Sequence, residues 1–163
     1  MSRILAILAV FGLLFTSACA LMRNASMTVT QQGKDTDFHL RTRGFRGLSS
    51  FRIWRTDTKE ELWYVNLNYF RGEHLTYGEV PKSFRTFNGN LNNARQEYPP
   101  DARKPAPLPP TATFMVELNC TYDAMFGPAG QSAFFLFATD ATGGVSRVTR
   151  PERITADDLP KTR

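Results

Sequence analysis

The sequence predicts an all-β protein, a single antiparallel β-sandwich, and three observations carry that prediction. From Phe38 to Thr149, segment after segment alternates apolar and polar residues with a period of two, as a half-buried strand requires. No segment sustains apolar residues at i, i+3, i+4 and i+7, the pattern of an amphipathic helix. The joints are turn-forming clusters: Asp57-Thr58-Lys59-Glu60, Gly127-Pro128-Ala129-Gly130 and Asp140-Ala141-Thr142-Gly143-Gly144.

In chain order, the first element is an export signal at 1–18. Arg3 supplies a positive start, and Ile4 to Phe15 is an uncharged run of 12 residues, the length of a signal-peptide core. A spanning helix needs about 20 apolar residues, so an uncleaved anchor is disfavoured. Phe15-Thr16-Ser17-Ala18-Cys19 resembles the bacterial lipobox, with Thr16 where the family usually has Leu. That resemblance implies lipidation of Cys19, which becomes the mature N-terminus. Ala20 after it is similar to lipoproteins sorted to the outer membrane. Ala18-Cys19-Ala20 also reads as an ordinary A-x-A cleavage site, which would leave a free periplasmic or secreted protein.

Residues 19–36 are polar and read as a flexible tether, with room for one strand around Met27–Thr30. The sandwich is expected over 37–150. Its strands alternate Phe38 and Leu40 with His39 and Arg41, then Phe51, Ile53 and Arg55 with Arg52, Trp54 and Thr56. Leu62 to Leu67 is apolar on both faces, and a short helix fits Leu91 to Gln96. Six of the ten prolines fall in 99–110. Proline cannot donate to a ladder, so this is an extended connector crossing within the domain. Phe114, Val116, Leu118, Cys120 and Tyr122 line one face of the clearest strand. Ala133 to Thr139 is apolar throughout and reads as a central strand, with Val145 to Thr149 closing a hairpin on it. Residues 151–163 are expected to be a mobile tail.

Leu108-Pro109-Pro110 followed by the alternating Thr113–Leu118 resembles the penultimate strand of immunoglobulin-like and fibronectin type III-like modules. Trp54 on an early strand and the hairpin of Ser49–Thr56 with Leu62–Leu67 fit the same plan. The likeness implies an immunoglobulin-like sandwich over about Phe38 to Thr149. With the lipobox, the whole resembles a small bacterial envelope lipoprotein of a kind with no assigned activity. Such a fold carries no function by itself.

The chemistry starts from scarcity. Two His and two Cys exclude most zinc, iron–sulfur and disulfide-framework proteins. Once Cys19 is taken by the lipid or lost, Cys120 is the last thiol and reads as a buried structural one. His39 and His74 stand in no nucleophile motif. Blue copper wants a His between Cys120 and Met125, and Thr121-Tyr122-Asp123-Ala124 offers none. Among Glu60, Glu61, Glu73, Glu79 and Glu117 nothing singles out a glycosidase pair. Trp63 to Phe70 holds aromatic and Asn side chains that suit sugars, yet fits a buried strand better. The loop Asn88–Asn93 reads as a turn, and the N-x-[ST] matches at Asn24 and Asn119 as chance.

What stands out is charge. The net charge is +5, and Arg41, Arg43, Arg46, Arg52 and Arg55 occupy fifteen residues without Asp or Glu. Guanidinium groups suit phosphate and carboxylate. In an exported protein the partners are lipid head groups, acidic envelope polymers or another envelope protein, not nucleic acid. Asp57, Glu60 and Glu61 follow directly and are available to pair with the cluster. The expectation is a non-enzymatic, membrane-tethered binding or structural protein, with no cofactor and no metal. The alternative is a carbohydrate-binding, carbohydrate-active or metal-handling sandwich.

Overall fold

The structure is a computed structural model and describes residues 24–32, 35–82, 84–85, 91–92, 94–100, 103–124 and 127–160. The export signal and Cys19 lie outside them. The described strands are β1 (Asn24–Gln32), β2 (Asp35–Arg43), β3 (Gly47–Arg55), β4 (Glu61–Phe70), β5 (His74–Thr76), β6 (Phe84–Arg85), β7 (Leu91–Asn92), β8 (Arg95–Tyr98), β9 (Thr113–Ala124) and β10 (Gly127–Ala138). A single 3₁₀ turn, Ala156–Asp158, is the one helical element among them.

The strands make two antiparallel sheets, β1-β2-β5 and β10-β9-β3-β4-β8, beside a short β6-β7 hairpin. The protein is an all-β antiparallel sandwich. The order parallels strands A-B-E facing G-F-C-C′ of an immunoglobulin-like plan, with β8 at the outer edge. It departs from that plan because β8 follows β5 in the chain instead of preceding it.

Alternation selects the core. Phe38 of β2 meets Phe51 of β3 at 5.0 Å and Phe137 of β10 at 5.9 Å between ring centres, joining the two sheets. Phe51 contacts Trp63 at 5.5 Å, Trp63 contacts Tyr77 at 5.7 Å, and Phe114 stacks on Phe137 at 5.0 Å. Ile53, Val65, Leu67, Val116, Leu118 and Cys120 fill the same layer and are fully buried. Gly47 is needed where β3 passes a bulge in β4. A Cβ there would sit 2.7 Å from the Tyr69 carbonyl oxygen, and Asn68 and Tyr69 take φ of 45° and 69° to make the bulge.

Several expectations change. The strand given room around Met27–Thr30 is present and longer, spanning 24–32, so these residues are not a flexible tether; Ala25 and Met27 are buried and the strand pairs with β2. Arg95–Tyr98 is strand β8 where a helix was expected, since Val65 and Asn66 of β4 provide partners. Gly127-Pro128-Ala129-Gly130 belongs to β10 and not to a turn. β10 is also an edge strand, not a central one. The following chain pairs along its free edge, as the hairpin expected of Val145 to Thr149. Leu136 and Thr149 exchange backbone hydrogen bonds of 2.8 and 2.9 Å, and Thr139 bridges Val145.

The chain then continues over the larger sheet. Residues 152–160, expected to trail away, lie against the outer face of β3. The Trp54 indole N–H donates to the Asp158 carbonyl at 2.8 Å, and Lys59 approaches the Asp158 carboxylate at 4.0 Å. Trp54 therefore faces out of the sandwich and is nonetheless 0% exposed. The tryptophan of the inter-sheet core is Trp63. The proline-rich connector is also tied down: Tyr77 donates to the Ala106 carbonyl at 3.0 Å, and Gln96 donates to those of Pro99 and Arg103.

Candidate functional site

The five arginines that sit together in sequence do not form one surface. Between Arg43 and Gly47 the chain crosses from one sheet to the other. Arg41 and Arg43 consequently lie on the outer face of β1-β2-β5, and Arg52 and Arg55 belong to the opposed sheet. The two outer faces of a sandwich point away from each other.

Three of the five are engaged by carboxylates. Arg46 makes a two-pronged pair with Asp123 at 2.7 and 2.6 Å. Arg55 does the same with Asp57 at 3.0 and 2.6 Å, and its hydrogen bond holds the Asp57 carboxyl below the ordinary range. Arg52 has Glu61 at 2.9 Å and Glu117 at 3.9 Å, and its guanidinium lies 4.4 Å from the Tyr64 ring centre. The Arg52 Nε is out of line for a hydrogen bond, so its contact with Glu61 is an ion pair only. Glu117 also accepts from Ser132 at 2.7 Å. One guanidinium thus serves two carboxylates. Along Trp63 to Phe70, Trp63, Val65 and Leu67 turn into the core, while Asn66 and Asn68 are exposed and Tyr64 and Tyr69 half-buried on the other phase. Asn88–Asn90, Asn93 and Met125 lie outside the described residues, and for Asn92 only the backbone is described.

Arg41 and Arg43 are exposed and pair with no carboxylate among the described residues. Their row on β2 reads Asp35, Asp37, His39, Arg41, Arg43, so its charge runs from negative to positive along one strand. Asp37 accepts from Thr76 at 2.6 Å. The neighbouring row on β1 is short and polar, with Ser26 opposite Arg41 and Thr28 opposite His39.

The same face holds a pair that local sequence pattern does not reveal. His39 and His74 are direct cross-strand partners, their rings edge-to-face at 4.5 Å. Thr30 Oγ1 is 2.9 Å from His39 Nε2. Together with Ser26, Thr28, Arg41 and Glu73 they line a cleft of about 390 Å³. A second hollow of about 310 Å³ continues past Arg41 to Arg43 and Arg71. The chain's two histidines thus stand beside Arg41. Among the described residues no three of His, Cys, Asp and Glu stand close enough to hold a metal ion.

No family model matches the chain, and no curated protein or solved structure does so. Function therefore has to be argued from the side chains. No helix among the described residues is long and apolar enough to cross a membrane.

Cys120 points into the core and is 0% exposed. Burial pushes its thiol up to about 12, and burial likewise raises the Tyr77 hydroxyl. The native thiol should resist a disulfide reagent at about pH 8 and react fully only in denaturant. Rapid labelling of the folded protein would contradict that. Because both groups keep their protons in the folded state past the point where an unfolded chain loses them, stability should fall as pH rises from about 9 towards 12.

Proposed function

We propose that this protein is an exported bacterial envelope protein, held to the membrane through a lipid on Cys19, that binds without catalysing a reaction. The face of β1-β2-β5 is its binding surface, and its ligand is an anionic component of the envelope. The observation that supports this best is the exposed Arg41–Arg43 pair at one end of that face, held by no carboxylate among the described residues. Arginines held by carboxylates have spent their charge; these two have not. The anchor reading adds a geometric argument. Asn24 is five residues after Cys19, and an extended chain covers at most about 3.6 Å per residue. The lipid would hold the start of β1 within roughly 18 Å of the bilayer.

The test is fractionation of the full-length chain and its Cys19→Ala variant in a Gram-negative host, before and after a high-salt wash. Wild-type protein that resists salt, beside a variant that becomes soluble, is the expected result. If both remain soluble from the start, the lipid anchor is wrong.

A further inference from the structure

We propose that the β1-β2 face docks on the anionic lipid surface to which the protein is anchored, and that the His39–His74 pair makes this docking tighter as the pH falls. The inference rests on the envelope-anchored reading and names its ligand: the phosphoryl groups of phospholipid heads.

Register supplies the first argument. Asn24, the described residue nearest the anchor, is paired with Arg43, and Ser26 with Arg41. The two exposed arginines are thereby the side chains of β2 nearest the lipid. Asp35 and Asp37 sit at the far end of the same row, opposite Gln32 and Thr30. The face is a charge gradient with its positive end towards the membrane and its negative end away from it. An anionic surface attracts the first and repels the second, so the gradient fixes orientation as well as affinity.

The histidines sit where the gradient changes sign. His39 is two residues from Arg41 on one side and two from Asp37 on the other, and His74 faces it from β5. Facing this pair are Arg41, Asp37 and Glu73 as charged groups, with Thr28 and Thr30 of β1 and Thr76 of β5 as neutral ones. With neutral imidazoles the positive patch ends at Arg41. Protonation extends it by about one more residue pair along the strand, some 7 Å. Two imidazolium rings 4.5 Å apart repel each other and Arg41. A phosphoryl group in the cleft relieves that repulsion, so binding and proton uptake favour one another by linkage. The Ser26 and Thr28 hydroxyls add neutral donors on the β1 side. Glu73 opposes the anion and limits affinity when the histidines are uncharged.

The probe is vesicles containing phosphatidylglycerol, compared with pure phosphatidylcholine, and the protein is the Cys19→Ala chain as secreted by the host. Co-sedimentation should be tighter by about tenfold at pH 5.5 than at pH 8, the interval over which imidazoles gain charge. Neutral vesicles should not bind. Arg41→Ser with Arg43→Ser should abolish binding at both pH values. His39→Gln with His74→Gln should keep the weaker binding and lose the pH dependence. Equal affinity of the wild type at both pH values, or a pH ratio that survives the double His variant, would overturn the proposal. So would binding that requires added divalent metal and disappears with chelator. To guard against a misfolded variant, the two imidazole titrations of the unmodified protein can be followed by NMR. Both midpoints should rise with anionic lipid present, and unmoved midpoints refute the linkage. Inorganic phosphate in place of vesicles separates a soluble ligand from a surface: saturable binding of phosphate as tight as to vesicles would overturn the membrane assignment. Failure of the anchor itself is read separately, from the Cys19 fractionation.

Discussion

Phe38→Ala should lower stability by about 3–5 kcal/mol, a large part of the roughly 5–15 kcal/mol that holds a domain of this size together. Phe38 is 0% exposed and is the ring through which the smaller sheet meets both Phe51 and Phe137 of the larger one. The substitution removes the ring's transfer free energy and leaves a void between two sheets whose spacing is set by other pairs, so the cavity cannot collapse. The tilted and edge-to-face packing of the three rings disappears as well, which adds to the cost. Denaturant titration should show a lower midpoint with an unchanged slope. Phe38→Leu, which keeps most of the volume, should lose less than half as much. A loss under about 1 kcal/mol for the alanine variant would mean that the sheets are not joined at this ring.

The core was legible because one rule governs it: on the strands anticipated from alternation, one phase faces the opposite sheet and is buried. Phe51 and Ile53, and Phe114, Val116, Leu118 and Cys120, went inside as their phase required. β1 was seen only in part because its buried residues, Ala25 and Met27, are few and alternate with Asn24, Ser26 and Thr28, which leaves little hydrophobic signal. β10 misled in the opposite way. An unbroken apolar run does not tell a central strand from one at the end of a row, and here the chain's own return pairs along its edge at Leu136 and Thr139. The candidate site was legible in composition and not in place. Fifteen residues of arginine-rich sequence contain the crossing between sheets, and local pattern has no information on which outer face each arginine takes. The His39–His74 contact depends on the pairing of β2 with β5, a register set by turns and packing far from either residue. His39 lies on the polar phase of its strand, which was the one available hint; His74 read as a loop residue and is in β5.

Trp54→Ala is the second substitution expected to be severe, at about 3–5 kcal/mol, and it tests the packing of the C-terminal segment. An indole on the outer face of a sheet would normally be wet, and truncating it would cost little. Trp54 instead has 0% exposure, with Met115 beside it at 4%, the ring of Phe134 at 6.4 Å, and its N–H satisfied by Asp158. The segment that supplies this acceptor buries no residue of its own, so its main contribution is to keep water from Trp54. Ending the chain after Pro151 should therefore destabilise by about 1–3 kcal/mol, less than the alanine variant, because water replaces the lost carbonyl acceptor. Tryptophan emission should shift to the red in that truncated chain, since Trp63 stays in the core and Trp54 becomes wet. The decisive measurement is the double-mutant cycle. If the segment and Trp54 stabilise each other, Trp54→Ala should cost at least about 1 kcal/mol less in the truncated chain than in the full one. Additive losses would mean that the tail and the indole act independently, and that neighbours on the sheet alone bury Trp54.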